Sequence, residues 1–403
     1  MHDVPQQDPT PQRPLNIAFF CDAYRPTCSG VAVSVETTAR ELRARGHRVT
    51  IYAPRYKNYE EHDPNVIRFP AGHWYLAKDF PVAWPLLPRA SLRVGTRFRR
   101  AKYDIVHSHS PYTIGTTGAR WARRNGIPVV FSFHTLYHHY LHYVPMPSSW
   151  TRSYILQALR YYMGLCDHII APSRPVMQIA ACLRPKLPCS IIPTGIDVEH
   201  FANGQGDAFR TQLKIDANEI VLLYVGRIVR EKNLEFLLRS LAPLLHEYSI
   251  EKNLPRVRLV LAGNGMDLDD MQEIARELRI ENNVIFTGFI PPENIADLYA
   301  AADIFVFASR TETQGISIAE ALAAGLPCVV VGAMGAAESV AHGEDGLVVP
   351  PREEPFRQAV TQLIEDSQLR QTMSRNARLR SPQLSQSFSA DSLLKLYSQL
   401  LKS

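Results

Sequence analysis

Short, continuously apolar runs recur along this 403-residue chain, separated by segments with helical spacing. Continuous rather than alternating apolar runs are typical of parallel strands that are buried on both faces. We predict strands at 16–20, 49–53, 105–108, 129–133, 168–171 and 190–193, and again at 221–225, 258–262, 284–287, 304–308, 328–331 and 347–349. Repeated βα units of this kind predict an α/β protein with two Rossmann-like, doubly wound parallel sheets.

The two sets of strands define the predicted domains. Residues 1–14 are polar and proline-rich without an apolar signal core, which predicts a disordered tail. We predict one Rossmann-like domain over 15–194 and a second over 195–382, with a loop-like start at 201–216. The last segment, 383–403, is predicted to form a helix that crosses back to the first domain. Two such domains facing each other predict a ligand cleft outside the carboxyl ends of their strands.

Charge is distributed unequally between the two halves. Residues 1–194 carry 24 Lys and Arg against 11 Asp and Glu, a net +13, whereas 195–403 carry 20 against 28, a net −8. This asymmetry favours an anionic partner for the first half, although scattered solvated charge stays open at this point.

The six cysteines show no CxxC spacing, which is typical of free thiols in a reducing cytoplasm.

Two glutamates eight positions apart, Glu312 and Glu320, flank the start of a predicted helix. Gly315 lies at the mouth of that helix, where free backbone N–H groups suit a phosphate. Ionised carboxylates only accept hydrogen bonds, so they suit the hydroxyls of a sugar. The segment is therefore predicted to hold a nucleotide-sugar, while a capped surface helix is the alternative that this segment alone leaves open.

Two cations, Arg227 and Lys232, follow the first predicted strand of the second domain, which ends at Gly226. At the carboxyl end of a strand they lie where an anionic ligand binds, and both side chains suit phosphate.

The acidic run at 267–270 looks superficially like a metal motif. It begins a predicted helix, where acidic residues favour the helix dipole, so no metal site is predicted.

The ordered series of motifs resembles the retaining, nucleotide-sugar-dependent glycosyltransferases of family 4, which have the GT-B fold. The series includes Ser29-Gly30-Val31, Arg45-Gly-His-Arg-Val-Thr50, Tyr103-Asp-Ile-Val-His-Ser-His109, Phe133-His-Thr135, Pro193-Thr-Gly-Ile-Asp197, Gly226-Arg227 with Glu231-Lys232, Leu261-Ala-Gly-Asn-Gly265, Phe286-Thr-Gly-Phe289 and the Glu312/Glu320 pair. It covers nearly the whole chain, and its order is more specific than any single motif.

This resemblance implies roles for particular residues. Glu312 contacts the transferred sugar, Glu320 the ribose, and His134 the sugar or the reacting centre. Arg227 and Lys232 bind the pyrophosphate. The remaining implied donor-binding residues are Gly30, Gly226, Gly288, Phe289, Gln314, Gly315 and Ile316. The resemblance also implies front-side attack, in which the leaving phosphate takes the acceptor proton, with no bound cofactor and no obligatory metal.

Two local features resemble the branch that makes α-glucosyl diacylglycerol. Gln314 stands where many family members have Phe, and a dense Tyr and His run follows Phe133. The branch implies UDP-glucose as donor and diacylglycerol as acceptor. We assign His109, Tyr137 and Tyr140 to the acceptor; a purely structural, packed role is the alternative for His109 and for His134. A soluble or lipid-linked saccharide acceptor, GDP-mannose as donor, and a non-catalytic sugar-nucleotide-binding protein are the alternatives. No nucleic-acid-binding motif is evident.

A second argument for a lipid partner comes from residues 73–102. We interpret 73–87 as a proline-broken loop that carries Trp74 and Trp84. The following segment is predicted to be a basic interfacial helix with Arg93, Arg97, Arg99 and Arg100. Such a helix predicts a cytoplasmic protein that associates peripherally with the anionic inner face of the cell membrane. A solvated helix beside a buried Trp loop is the alternative.

Overall fold

A computed structural model describes residues 13–27, 29–74, 77–83, 88–135, 148–251 and 254–402. The chain divides into two compact units. Unit 1 is discontinuous: it consists of the chain up to Gly195 and of the segment that begins at Gln386. Unit 2 is the continuous stretch Ile196–Ser385. From the sequence we predict these two boundaries after residues 194 and 382.

Unit 1 is built on a sheet in which every strand runs parallel to its neighbours. Its elements are β1 (Asn16–Phe20), α1 (Gly30–Ala44), β2 (Arg48–Pro54), β3 (Val66–Phe69), β4 (Ala71–Trp74), β5 (Ala77–Ala83), α2 (Pro88–Ala101), β6 (Ile105–Ser108), α3 (Thr113–Arg124), β7 (Val129–Ser132), α4 (Ser148–Met163), β8 (His168–Ala171), α5 (Arg174–Leu183) and β9 (Cys189–Ile191). The order across the sheet is β3-β2-β1-β6-β7-β8-β9, and β4 and β5 form a separate antiparallel pair.

Unit 2 repeats this plan with a six-stranded parallel sheet in the order β12-β11-β10-β13-β14-β15. Its elements are α6 (Val198–Ala202), α7 (Gly206–Gln212), β10 (Ile220–Val225), α8 (Leu234–Ile250), β11 (Val257–Ala262), α9 (Leu268–Glu277), β12 (Val284–Gly288), α10 (Ile295–Ala300), β13 (Ile304–Phe307), α11 (Ile316–Ala324), β14 (Cys328–Val331), α12 (Met334–Ser339), β15 (Gly346–Val349), α13 (Glu353–Glu365) and α14 (Ser367–Arg380). The predicted pair of Rossmann-like sheets is therefore confirmed. The predicted cleft between them stays a prediction.

The structure corrects two sequence-based predictions. Residues 73–87 are not a loop throughout, because β4 and β5 pair there; Pro81 is tolerated because β5 pairs with β4 on one side only. Residues 201–216 are not a loop throughout either, because the end of α6 and all of α7 lie within them. Phe201 and Phe209 anchor these short helices in the core of unit 2, an apolar spacing that the polar composition of the segment obscured.

Each sheet reverses its strand order at one point. In unit 1 the first strand, β1, lies between β2 and β6, and in unit 2 the first strand, β10, lies between β11 and β13. Loops leave such neighbouring strands in opposite directions, which opens a crevice at their carboxyl ends. The two crevices predict where ligands bind to each unit.

The last described helix, α15 (Gln386–Leu400), packs on unit 1. Its apolar face buries Leu393, Leu394, Leu396 and Tyr397 in the same core as β1, α1 and β6. Two polar contacts fix its first turns: the Ser389 hydroxyl donates to the Pro193 carbonyl at 2.7 Å, and Arg45 pairs with Asp391. The core of unit 1 thus includes a segment that follows unit 2 in the sequence.

We expect Leu394→Ala to lower the free energy of unfolding of unit 1 by about 2–5 kcal/mol, because it opens a cavity in the shared core. All four tryptophans lie within residues 1–194, so tryptophan fluorescence during urea unfolding reports on unit 1. Gln399→Ala, on the exposed face of α15, is the matched control and should change stability little. Equal stability of the two variants would contradict the docking of α15.

Candidate active site

The loop after β10 carries the two predicted phosphate-binding cations. β10 ends at Val225, and the Gly226 N–H donates to the Ala262 carbonyl at 3.0 Å, which ties this loop to the end of β11. The Arg227 side chain is 60% exposed and lies 3.5 Å from Glu231, so its guanidinium faces solvent at the carboxyl edge of the sheet. Lys232 follows in a short 3-10 turn.

Lys232 forms an ion pair with Glu312, which lies 80 positions away in the loop after β13. Both side chains are only 18% exposed. Two further hydrogen bonds join the loops: the Asn233 amide donates to the Ala308 carbonyl at 3.2 Å, and the Ser309 hydroxyl donates to the Glu231 carbonyl at 3.0 Å. The structure thus brings together the cation and the carboxylate that the sequence assigns to one ligand.

The mouth of α11 lies directly after this loop. Gly315 has a φ of 82°, a left-handed conformation that favours glycine, and its carbonyl accepts from the Ile318 N–H at 3.0 Å. The preceding Ile316 and Ser317 amides belong to the first turn, where the helix itself offers no acceptor. The Gln314 carbonyl accepts a hydrogen bond from Ser339 of α12, which holds the loop against that helix.

Glu320 lies one turn inside α11 and has a partner of its own. The Tyr299 hydroxyl, from α10, donates to Glu320 at 2.7 Å. Burial raises the pKa of the Glu320 carboxyl, and the hydrogen bond from Tyr299 opposes that rise. Sequence reasoning missed Tyr299, because nothing in its local motif distinguishes it from a core tyrosine.

The other predicted donor contacts of unit 2 lie at the same edge of the sheet. β12 ends at Gly288, whose carbonyl accepts from the Gly263 N–H at 2.9 Å. The next side chain, Phe289, is 58% exposed. Because parallel strands end at one edge, Gly288 and Phe289 share that edge with Gly226 and Arg227.

In unit 1 the predicted residues His109 and His134 are brought into contact. His109 Nδ1 lies 3.0 Å from His134 Nε2, and the two rings stack at 5.3 Å between centroids. Burial lowers the pKa of His134 to about 4 and holds the pKa of His109 well below its usual range. Both imidazoles are therefore neutral near pH 7, so each offers one N–H donor and one lone pair.

Two further residues at the carboxyl edge of this sheet were missed by sequence reasoning. His107, inside β6, stacks on His109 with 4.2 Å between ring centroids. Asp22, directly after β1, accepts from the Ser110 and Thr113 hydroxyls at 2.7 and 2.9 Å and from the Ile114 N–H at 2.9 Å. A carboxylate therefore already occupies the N-terminus of α3. The sequence does contain one indication of Asp22: it follows the first strand, at the edge of the sheet where ligands bind.

A pocket of unit 1 adjoins the three histidines. It is lined by residues of α1, the strand ends and α15, among them Ser34, Thr37, His107, His109, Ser132, His134, Thr194 and Ser389. Gly30, a predicted donor contact, is the exposed first residue of α1, and Ser29 caps this helix by accepting from the Ala32 N–H at 3.2 Å. Polar groups thus converge beside the histidines.

The predicted lipid contacts are only partly described. Tyr137, Tyr140 and Trp84 lie outside the described residues, and Trp74 ends β4. α2 exposes Arg93, Arg97, Arg99 and Arg100. Phe98 of the same helix is instead buried against Phe20 and Trp121, so this aromatic ring belongs to the core of unit 1.

The described residues contain neither a cluster of metal-ligating side chains nor a helix that could cross a membrane. Among them, no group of three or more His, Cys, Asp or Glu side chains is arranged to hold a metal ion. No helix in the described ranges combines the length and apolar character that crossing a bilayer requires.

Comparison with known proteins defines the class. Residues 28–200 match glycosyltransferase family 4, and residues 206–380 match the glycosyl transferases group 1. Together the two matches extend over most of the chain, which therefore belongs to the glycosyltransferases of family 4 and group 1. The protein is a transferase of the GT-B fold. The family that the motifs resemble is confirmed.

Its relatives include two glycolipid synthases. The alpha-monoglucosyldiacylglycerol synthase of Streptococcus pneumoniae is 34% identical over 324 residues, which cover 79% of this chain and 71% of that protein. The enzyme of the same name from Acholeplasma laidlawii is 28% identical over 399 residues, which cover 96% of this chain and 98% of that protein. Among solved structures, Anabaena Alr3699/HepE in complex with UDP has a TM-score of 0.73 at 21% identity, covering 96% of this chain and all of that one.

We expect Tyr299→Phe to raise the pKa of the Glu320 carboxyl above its value in the unchanged protein. The variant removes the one interaction that opposes the effect of burial. Carbon-13 NMR titration of the glutamate side-chain carboxyls measures this pKa.

The matched control for that titration is Tyr248→Phe. Tyr248 donates to Glu365 at 3.3 Å in the same unit but on α8, so its loss should leave the Glu320 titration unchanged. A Glu320 pKa that is unaltered or lower in Tyr299→Phe would contradict the assigned hydrogen bond.

Proposed function

We propose that this protein transfers glucose from UDP-glucose to diacylglycerol, with retention at the anomeric carbon, and so forms an α-glycolipid. The observation that carries the proposal is the ion pair between Lys232 and Glu312 at the strand-order reversal of unit 2. It joins a phosphate-binding cation to a hydroxyl-binding carboxylate at the edge where ligands of this fold bind.

The diphosphate of the donor is assigned to the positive groups of unit 2. Breaking the bond between sugar and phosphate places negative charge on the leaving diphosphate. Arg227 is exposed and can bind phosphate with two N–H groups, and Lys232 supplies a compact charge. The amides at the mouth of α11 add a third source of stabilisation, because helix N-termini favour anions. Together they stabilise the transition state electrostatically.

The two sugars of the donor are assigned to the two glutamates. Glu312, half-buried beside Lys232, accepts from hydroxyls of the transferred hexose. Glu320 keeps one oxygen on Tyr299 and accepts from the ribose with the other. His134 is assigned to the hexose by the resemblance. Its ring is neutral near pH 7, so it contributes a hydrogen bond to a sugar hydroxyl rather than a positive charge. The acceptor proton passes to the leaving phosphate.

The acceptor is inferred from the relatives and from charge. Both named relatives are synthases of a glucosyl diacylglycerol, and Gln314 and the run after Phe133 resemble that branch. We assign His109, Tyr137 and Tyr140 to the acceptor. The exposed arginines of α2, with Phe98 turned into the core, present cations rather than aromatic rings to an anionic membrane surface. Peripheral association with the inner face of the cell membrane follows from this.

We expect labelled glucose to pass from UDP-glucose to diacylglycerol in vesicles, with no comparable transfer from GDP-mannose or ADP-glucose. Anionic vesicles should support faster transfer than neutral ones containing the same amount of diacylglycerol. Thin-layer chromatography detects the product, and proton NMR of the anomeric position gives its configuration. Equal transfer to a soluble saccharide without lipid, or a preference for GDP-mannose, would contradict the proposal.

We expect Lys232→Met to lower kcat/KM about 100-fold, because one electrostatic donor to the leaving group is lost. Arg276→Met is the matched control: it removes an exposed cation that pairs with Glu273 on α9 and should leave kcat/KM unchanged. Initial rates with UDP-glucose measure the effect.

Glu312→Gln tests the role proposed for the Glu312 carboxylate in transfer. The proposal requires that this variant lose most transfer activity, since Glu312 contacts the transferred sugar. Tight UDP binding together with full activity in Glu312→Gln would show that turnover does not depend on this carboxylate, and the role proposed for Glu312 would then fail.

A further inference from the structure

His107 is held at both ring nitrogens by hydroxyl groups. Nδ1 lies 2.7 Å from the Tyr397 hydroxyl, and Nε2 lies 2.7 Å from the Ser132 hydroxyl. The ring is 2% exposed, and burial lowers its pKa to about 3, so it is neutral near pH 7. A neutral imidazole donates at one nitrogen and accepts at the other, and a hydroxyl can serve either role. Both bonds can therefore be made at once.

These two bonds fix the rotation of the His107 ring. The terminal torsion of a histidine has broad minima, so packing and hydrogen bonds determine where the ring settles. Burial also raises the pKa of Tyr397 well above its usual value, so its hydroxyl keeps its proton. Tyr397 belongs to α15, and Ser132 ends β7. One clamp thus comes from the sheet and the other from the C-terminal helix.

The fixed ring is the base of a stack of three histidines. His109 lies on His107 with centroids 4.2 Å apart and planes inclined by 26°, and His134 lies on His109 at 5.3 Å and 14°. His109 is bonded to His134 through Nδ1, whereas its Nε2 is buried and has no hydrogen-bond partner within the described residues. Ring packing therefore determines the position of His109 on that side, and the ring stacked closest to it is His107.

We propose that Tyr397 is a positioning residue for His134. Its hydroxyl orients His107, the stacked His109 follows that orientation, and His134 is held by its hydrogen bond to His109. The proposal rests on the function proposed above, in which His134 contacts the transferred sugar. In this proposal α15 affects the reaction through Tyr397, which itself does not contact the substrate.

Tyr397→Phe tests the proposal while keeping the buried ring. We expect kcat for glucose transfer to fall about 10-fold with KM for UDP-glucose unchanged, because the contacts to the diphosphate and the ribose are assigned to unit 2 and only the placement of His134 beside the transferred sugar is altered. Tyr52→Phe is the matched control: it removes another buried hydroxyl of unit 1, bonded to Tyr103 at 3.0 Å and absent from the pocket lining. It should lose similar stability and keep full kcat.

Nitrogen-15 NMR of the histidine rings gives a readout that does not depend on activity. In Tyr397→Phe the ring resonances of His107 and of His134 should both move, and in Tyr52→Phe neither should. Ser132→Ala removes the other clamp on His107 and should also move the His134 resonances. Unchanged His134 resonances in both Tyr397→Phe and Ser132→Ala would overturn the proposal, as would an unaltered kcat in Tyr397→Phe.

The same experiments keep the two proposals apart. If the unchanged protein transfers no glucose to diacylglycerol, the proposed function fails, and the His134 resonances still decide whether Tyr397 positions that ring. If transfer is observed but His134→Ala retains full kcat, the assigned role of His134 fails, and with it the functional consequence of the stack.

Discussion

Parallel strands all end at the same edge of their sheet, and both units depend on this constraint. It explains why residues far apart in the sequence meet. Lys232 follows β10 and Glu312 follows β13, two strands that are neighbours only because the strand order reverses between them. The same constraint gathers the ends of β6 and β7 in unit 1, where His109 and His134 touch. In both units the sheet brings the two loops together, and in unit 2 hydrogen bonds between the loops add to this.

The charges collected at the edge of unit 2 balance one another. A half-buried carboxylate or ammonium group without a partner is costly, and removing one member of such a pair leaves the other uncompensated. Lys232 and Glu312 meet that requirement together. A ligand that offers a phosphate to Lys232 and hydroxyls to Glu312 replaces the ion pair between these side chains by contacts to the ligand. Neither charged group is then left without a polar partner.

Much of the fold follows from local patterns, because twelve apolar runs mark twelve of the strands. The antiparallel pair β4 and β5 was missed because Pro81 argues against a strand unless it lies on an edge, and edges are a property of the sheet rather than of the segment. The site shows the same division. Motifs mark Arg227, Lys232 and Glu312, whereas Tyr299, His107 and Tyr397 act through contacts that only tertiary packing creates.

The return of α15 to unit 1 has a consequence for the order of assembly. Unit 2 is one continuous stretch of the chain, so it can fold as soon as that stretch has emerged from the ribosome. Unit 1 begins first but obtains the last part of its core only when α15 arrives, after all of unit 2 has been made. Until α15 docks, His107 of the nascent chain lacks the Tyr397 hydroxyl, one of the two hydroxyls that bond its ring. In this protein, the first domain to be synthesised is the last to be finished.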